Sequence, residues 1–397
     1  MSTTAKAHGL DGSLMEPDWP PLTLSEVRAL LDLFPGCCEP IEILSVSPRP
    51  FSAASVVATE SGRVFIKRHH RTVRDREGLL EEHSFLKHLR EHGGQVPGVF
   101  AAPSGETAIE SGEWTFEVHE ALPGVDIYEE ALSWTPFRST SHARSAGEAL
   151  ARLHLASRGF DAPLRKAQPL VAGFTIFAED DAGAAMARYL DARPALAGDA
   201  VAREGCREAL ELLEPFHAQL RPHLSALKPL WTHNDPHASN LLWSDASDNA
   251  RAVAVIDFGL ADRTNAVHDL AQAIERNIVE WLELGPGLED ADSVPVHIDH
   301  LEAMLDGYES VRPLTDAEAA ALAPMTALCH AEFALSEADY YGGVLHSEEK
   351  ARVASIDYLV GHARWFGGAD GQKLLDAIQG WAGNRERRGV APVGAKD

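Results

Sequence analysis

Apolar positions along this chain change their period near residue 120. Before it they come in short β-branched runs: IEILSV at 41–46, SVVATE at 55–60 and RVFIK at 63–67. Such runs fit the two-residue period of strands. Ser61-Gly62 is a tight-turn signal, so 55–67 is expected to fold as a β-hairpin. Residues 74–91 are helical in composition, EWTFEVH at 113–119 is another strand, and Leu122-Pro123-Gly124 breaks the pattern. From about residue 135 helical spacing takes over. Ala149, Leu150, Leu153 and His154 recur at helical spacing within 142–158, and 200–228 is also helical. Two short β segments follow, PLWTHNDPHASNLLW and RAVAVIDFG, and helices dominate after Val267. A strand-rich beginning and a helical remainder predict an α+β fold of two lobes with a cleft near residue 120. The expected divisions are a flexible N-terminus over 1–22, an N-lobe over 23–122, a C-lobe over 123–383 and a flexible tail over 384–397.

Composition narrows the function classes. The 397 residues carry 60 acidic and 35 basic side chains, a formal charge of −25, which disfavours nucleic acid and anionic membranes as partners. The four cysteines, Cys37, Cys38, Cys206 and Cys329, form no CxxC pair, so neither a zinc knuckle nor a redox dithiol is indicated, and a reducing compartment fits. There is no apolar signal region at the start and no run of about 18 apolar residues, so a cytoplasmic protein without a membrane span is expected.

The chemistry concentrates in HNDPHASN, His233 to Asn240, and in AVIDFG, which ends at Gly259. Asp235 precedes Asn240 by five positions, and Asp257 follows an apolar strand directly before Phe-Gly. Phosphoryl transfer needs one carboxylate beside the acceptor hydroxyl, and a carboxamide and a second carboxylate to hold Mg²⁺ against the nucleotide phosphates. Each residue alone is a weak signal; the spacing of all three is a strong one. The N-terminal part supplies a second test. Lys67 ends the apolar run Val64-Phe65-Ile66, and Glu82 lies inside an apolar stripe with Leu79, Leu86 and Leu89. A charge buried there needs a partner, and Lys67 is the expected one. Residues 45–55 are placed where a phosphate-covering loop belongs, yet they lack both GxGxxG and Walker A patterns.

This constellation resembles the aminoglycoside phosphotransferase and choline kinase-like superfamily, which shares the protein-kinase fold. The matching motifs are His233-x-Asp235-x-x-x-x-Asn240, Ile256-Asp257-Phe258-Gly259, Asp269-Leu270-Ala271 and Leu153-His154. The resemblance spans about residues 40–345. It implies a small β-rich N-lobe with one key helix and a large, mainly helical C-lobe. It makes Asp235 the catalytic base, Asn240 and Asp257 the Mg²⁺ ligands, and Lys67 and Glu82 an ion pair serving ATP or GTP. It also implies a hinge in which the His119 carbonyl and the Ala121 N–H read the base, and it gives His233 and Asp269 a supporting role, with Asp269 as a buried brace. His-Asn-Asp stands where protein kinases carry His-Arg-Asp, which argues against control by activation-loop phosphorylation.

The acceptor is less legible. A helix around 318–341 carries Glu332, His330, Asp339 and Tyr340, and Glu275 and Glu280 lie upstream. Acidic walls would favour an amine-bearing hydroxyl compound such as an aminoglycoside, choline or an amino alcohol; homoserine, hydroxylysine and sugars share the same core motifs. For any one of these residues, a core helix with a charged rim is the commoner explanation. Three rivals remain: a metal-dependent hydrolase using His233, Asp235 and His237 as an HxDxH cluster, an inactive nucleotide-binding scaffold, and a Ser/Thr protein kinase of the same superfamily.

Overall fold

The computed structural model describes residues 17–37, 39–166, 169–283 and 294–385, together with the paired strands Ala7–His8 and Leu14–Met15. Most of the stretch expected to be flexible over 1–22, and the tail beyond Arg385, lie outside the described residues. The chain divides into two compact units, Met1–Pro123 with Arg165–Gln168, and Gly124–Leu164 with Pro169–Asp397.

After that strand pair the first unit continues with α1 (Leu24–Leu31). The hydrophobic pattern did not assign this helix, although Thr23-x-x-Glu26 spells a capping box: the Glu26 N–H donates to the Thr23 hydroxyl, and the Thr23 N–H donates to the Glu26 carboxylate. Five antiparallel strands follow, β1 (Pro40–Val46), β2 (Ala53–Thr59), β3 (Gly62–His70), β4 (Ala108–Ser111) and β5 (Trp114–Glu120), in the order β1-β2-β3-β5-β4. Helix α2 (Arg76–Glu91) lies between β3 and β4 in the chain. Strand alternation sorts the sheet into two unlike faces. Val57, Val64, Ile66, Phe116 and Val118 cluster with Val27, Leu30 and Leu31 of α1, each fully buried aliphatic side chain stabilising the fold by about 1.5–3 kcal/mol. Lys67, His69, Glu117 and His119 fall on the alternate positions and are nonetheless buried.

In the second unit, α3 (Thr140–Ala156), α4 (Ala182–Asp191) and α5 (Ala200–Leu220) precede two small antiparallel ladders. The helix expected to run to 228 gives way at Arg221 to a 3₁₀ turn, Arg221–Ala226, because Pro222 has no N–H to continue it. Strand β6 (Pro229–Thr232) pairs with β9 (Asp262–Asn265), and β7 (Leu241–Trp243) pairs with β8 (Ala252–Val255). Then come α6 (Ala266–Ile278), buried along its whole length, α7 (Ile298–Val311), α8 (Asp316–Leu328) and α9 (Ala331–Asp339). The single helix expected over 318–341 is thus two, interrupted at Cys329-His330 and followed by a π-helical turn, Tyr340–Val344. A second π-helical stretch, Val353–Val360, leads into α10 (Gly361–Gly367) and α11 (Ala369–Gly383). Helices α3 and α7 touch through glycines: a Cβ at Gly147 would stand 2.0 Å from the Met304 carbonyl oxygen, and one at Gly307 would stand 2.1 Å from that of Arg144. That approach sets His154 of α3 against Tyr308 of α7.

Candidate active site

The paired strands decide where the loop His233–Asn240 sits. It leaves β6 and enters β7, while Asp257 follows β8, the partner of β7. The Ile256 N–H donates to the Asn240 carbonyl at 2.9 Å, so the two segments that carry the predicted triad are stitched together by backbone. The Asn240 carboxamide N–H donates to the Asp235 carbonyl at 2.9 Å and to Asp235 Oδ2 at 3.0 Å. Both bonds of that carboxamide nitrogen go to Asp235. Asp257 adopts a left-handed backbone, φ 60°, as does Asn234. Asn and Asp tolerate this region better than most residues, and such backbone persists where surrounding bonds fix it.

At Asn234 those bonds come largely from Asp269. Its Oδ2 accepts the His233 N–H at 3.0 Å and its Oδ1 accepts the Asn234 N–H at 2.7 Å. His154 Nε2 lies 2.9 Å from the same carboxylate, and His154 Nδ1 lies 2.7 Å from the Tyr308 hydroxyl. Burial would raise Asp269, but His154, His233 and the Asn234 N–H outweigh it and hold the carboxyl below its ordinary value. The Asn234 side chain is itself a knot: its Oδ1 accepts from the Thr232 hydroxyl at 2.9 Å and the Thr264 hydroxyl at 3.2 Å. His233 Nε2 donates to the Ile256 carbonyl at 2.9 Å and its Nδ1 accepts the Asp235 N–H at 3.1 Å. Burial lowers its pKa, and the two bonds assign a neutral imidazole with no nitrogen left for a metal ion. The HxDxH hydrolase alternative therefore loses its first ligand.

Two further residues steer the loop that the sequence reading did not single out. Asn277 donates to the Pro236 carbonyl and accepts the Ala238 N–H, both at 2.8 Å. Arg276, 2% exposed, forms an ion pair with Asp235 through Nη1. The signal for Arg276 was available: it stands seven residues after Asp269, on the same face of α6. Of the acidic residues considered for an acceptor wall, Glu332 is consumed internally. Its carboxylate accepts the N–H groups of Thr175 and Ile176 and the Thr175 hydroxyl. Glu275 lies 2.9 Å from His362 Nδ1, and Glu280 lies 2.7 Å from His297 Nε2.

In the first unit, Lys67 stands on β3 with Ala54 and Glu117 as cross-strand neighbours. Glu82 is 2% exposed and lies 3.8 Å from Arg165, a cation the hydrophobic pattern did not point to. Glu117 carries a surround of imidazoles, His69 at 2.9 Å and His83 and His119 each at 2.8 Å. Burial alone would raise Glu117, yet His119, His69 and His83 hold it well below the usual carboxylate range. His119 lies inside the β3–β5 ladder opposite Phe65, and Ala121 follows the end of β5.

Comparison with known proteins places this geometry. A family model described as "Phosphotransferase enzyme family" matches residues 50–314, more than half of the chain. A homoserine kinase of Gluconacetobacter diazotrophicus is 26% identical over 284 residues, 68% of this chain and 73% of that protein. One from Rhodospirillum rubrum is 31% identical over 196 residues, 48% of this chain and 49% of its own. Among solved structures, a microcompartment-associated aminopropanol kinase aligns with TM-score 0.56 and 17% identity, covering 90% of this chain and 99% of that one. An amicoumacin kinase aligns with TM-score 0.54 and 13% identity, covering 88% and 96%. At these identities the structural likeness speaks for the kinase-like fold alone. The family match over 50–314 settles the rest: the chain belongs to the phosphotransferase enzyme family and is an enzyme that moves a phosphoryl group to the hydroxyl of a small molecule.

Proposed function

We propose that the donor is ATP, that Asp235 is the base, and that Asn240 and Asp257 hold Mg²⁺. The observation that carries this reading is the doubly anchored Asn240, whose two bonds to Asp235 tie the base to the metal-ligating carboxamide. Oxygen donors from a carboxamide and a carboxylate suit a hard divalent ion, which when bound would neutralise charge on the nucleotide phosphates. The acceptor oxygen forms a bond to the γ-phosphorus while the bond to the β–γ bridging oxygen breaks, and the hydroxyl proton passes to Asp235 Oδ. Arg276 fixes the direction of that carboxylate. On the first unit, Lys67 is proposed for the nucleotide phosphates, Glu82 for holding it, and the backbone at His119 and Ala121 for the base; GTP is the alternative donor. The names of the relatives, homoserine kinase and aminopropanol kinase, favour a small acceptor over a large aminoglycoside. No helix among the described residues is long and apolar enough to cross a membrane, and a cytoplasmic setting is proposed from the cysteine usage.

Asp235→Asn tests the assignment. It should lower kcat by about 10²–10⁴-fold, the usual contribution of a positioned base, while the affinity for Mg-ATP measured by calorimetry changes little. Turnover near wild type would overturn it.

A further inference from the structure

Most buried polar groups around the catalytic loop are matched, but one cluster beside it is not. Arg276 spends Nη1 on Asp235, and its Nε and Nη2 are buried without a hydrogen-bond partner. Nε and Nη2 form the side-on edge of a guanidinium, the edge that takes a carboxylate in two parallel bonds. Glu337 on α9 is 3% exposed, and its Oε2 is likewise buried without a partner. The two groups feel each other electrostatically, yet among the described residues no ion pair within 4.0 Å joins them. The Tyr358 hydroxyl, on the π-helical stretch Val353–Val360, is buried beside the Arg276 guanidinium and interacts with it. π-Helical turns recur at functional sites.

Buried polar atoms left without hydrogen bonds are costly, and the arrangement makes physical sense when a ligand completes the free edge of Arg276 and the free oxygen of Glu337. The surroundings fit. The Arg276 guanidinium carbon lies 4.7 Å from the Phe333 ring centroid and 5.8 Å from that of Trp134, so aromatic groups flank it. Trp134 is half-buried and the Asp235 side chain is 16% exposed, so solvent reaches the proposed base next to the cluster. Glu275, the other acid nearby, already has His362 at 2.9 Å.

We propose that the acceptor is a small hydroxylated zwitterion of the amino-acid type, with Arg276 taking its carboxylate, Glu337 its ammonium group, and its hydroxyl presented to Asp235. The inference rests on the kinase reading above and adds to it the charge pattern of the acceptor and the two residues that read it. Burial pushes Glu337 up to about 8, with Arg276 opposing, so the empty protein carries a proton there that an incoming ammonium group would displace.

The test is ADP release by the full chain with Mg-ATP. The zwitterions are homoserine, serine, threonine and hydroxylysine. Aminopropanol lacks the carboxylate, hydroxybutyrate lacks the ammonium group, and choline, glucose and an aminoglycoside complete the panel. One zwitterion should exceed both aminopropanol and hydroxybutyrate in kcat/KM by about 100-fold or more, since a site built for a polar group rejects the analogue without it. Glu337→Gln should raise KM for that zwitterion by about tenfold or more and leave KM for hydroxybutyrate unmoved. A merely structural role would shift every acceptor together. Failure of all four zwitterions to accept phosphate, or a cation, sugar or aminoglycoside that matches the best of them, overturns the proposal. In the second case the kinase reading stands. The kinase reading falls with it only if no compound accepts phosphate and Asp235→Asn leaves background ATP hydrolysis unchanged.

Discussion

Two buried polar regions meet at Asp235, and they are built oppositely. On one side Asp269, Asn234, His233, Asn277 and Asn240 exchange hydrogen bonds that tie the loop at 2.7–3.1 Å. On the other side Arg276 and Glu337 keep buried atoms without hydrogen bonds. Both regions are equally removed from water, so burial does not distinguish them; satisfaction does. A saturated network costs nothing further to keep and holds one geometry. An unsaturated one carries a standing penalty that only a ligand relieves. The first is scaffold, and the second is the proposed place where the acceptor is recognised.

The sharpest way to break the comparison is to open the closed side. Asp269→Ala removes one carboxylate and orphans the N–H groups of His233 and Asn234 and the His154 imidazole. It should cost about 3–5 kcal/mol, the usual penalty for deleting one partner of a buried charged network, read as a drop in urea midpoint. A loss under 1 kcal/mol would show that the network is not a unit.

The open side should respond differently, and to pH. Glu337 has a folded value of about 8 against an ordinary value of 4.5. Between those values the unfolded chain has released the proton and the folded protein keeps it. Stability from this group is therefore fully present below pH 4.5 and falls as pH rises toward 8, by about 1.4 kcal/mol per unit. Glu275, raised by burial and by Glu337, acts with the same sign. Glu337→Gln should leave the melting temperature nearly unchanged at pH 5 and raise it at pH 8. Equal shifts at both values would mean that Glu337 is charged in the empty protein.

A smaller effect separates backbone from side chain on the closed side. Asn234→Ala loses the side-chain knot and also places a Cβ residue at φ 60°. Asn234→Gly loses the knot alone. The alanine variant should be less stable by about 1 kcal/mol, measured by urea unfolding; equal stabilities would mean that the positive φ carries no strain.

The fold was legible in the residues: a strand-rich beginning followed by helices is a local pattern, and local patterns survive in a linear string. The spacing of Asp235, Asn240 and Asp257, and Lys67 at the end of an apolar run, are local too, and their roles are proposed from them. The capping box at Thr23 and Glu26 was equally local and shows that α1 could have been read as well. Glu332 shows the limit. As a helix glutamate on a partly apolar face it resembled an acceptor wall, and the structure turns it onto the backbone of Thr175 and Ile176, more than 150 positions earlier.

The sequence by itself determined which chemistry the chain carries, because phosphoryl transfer needs particular oxygen groups at short, fixed separations, and those separations are written along one loop and one strand end. The tertiary structure alone decided which buried charges are spent and which are left over. Whether Asp269 is saturated while Arg276 and Glu337 are not depends on helices brought together from distant parts of the chain, and a hydrogen bond not made leaves no mark in a list of residues.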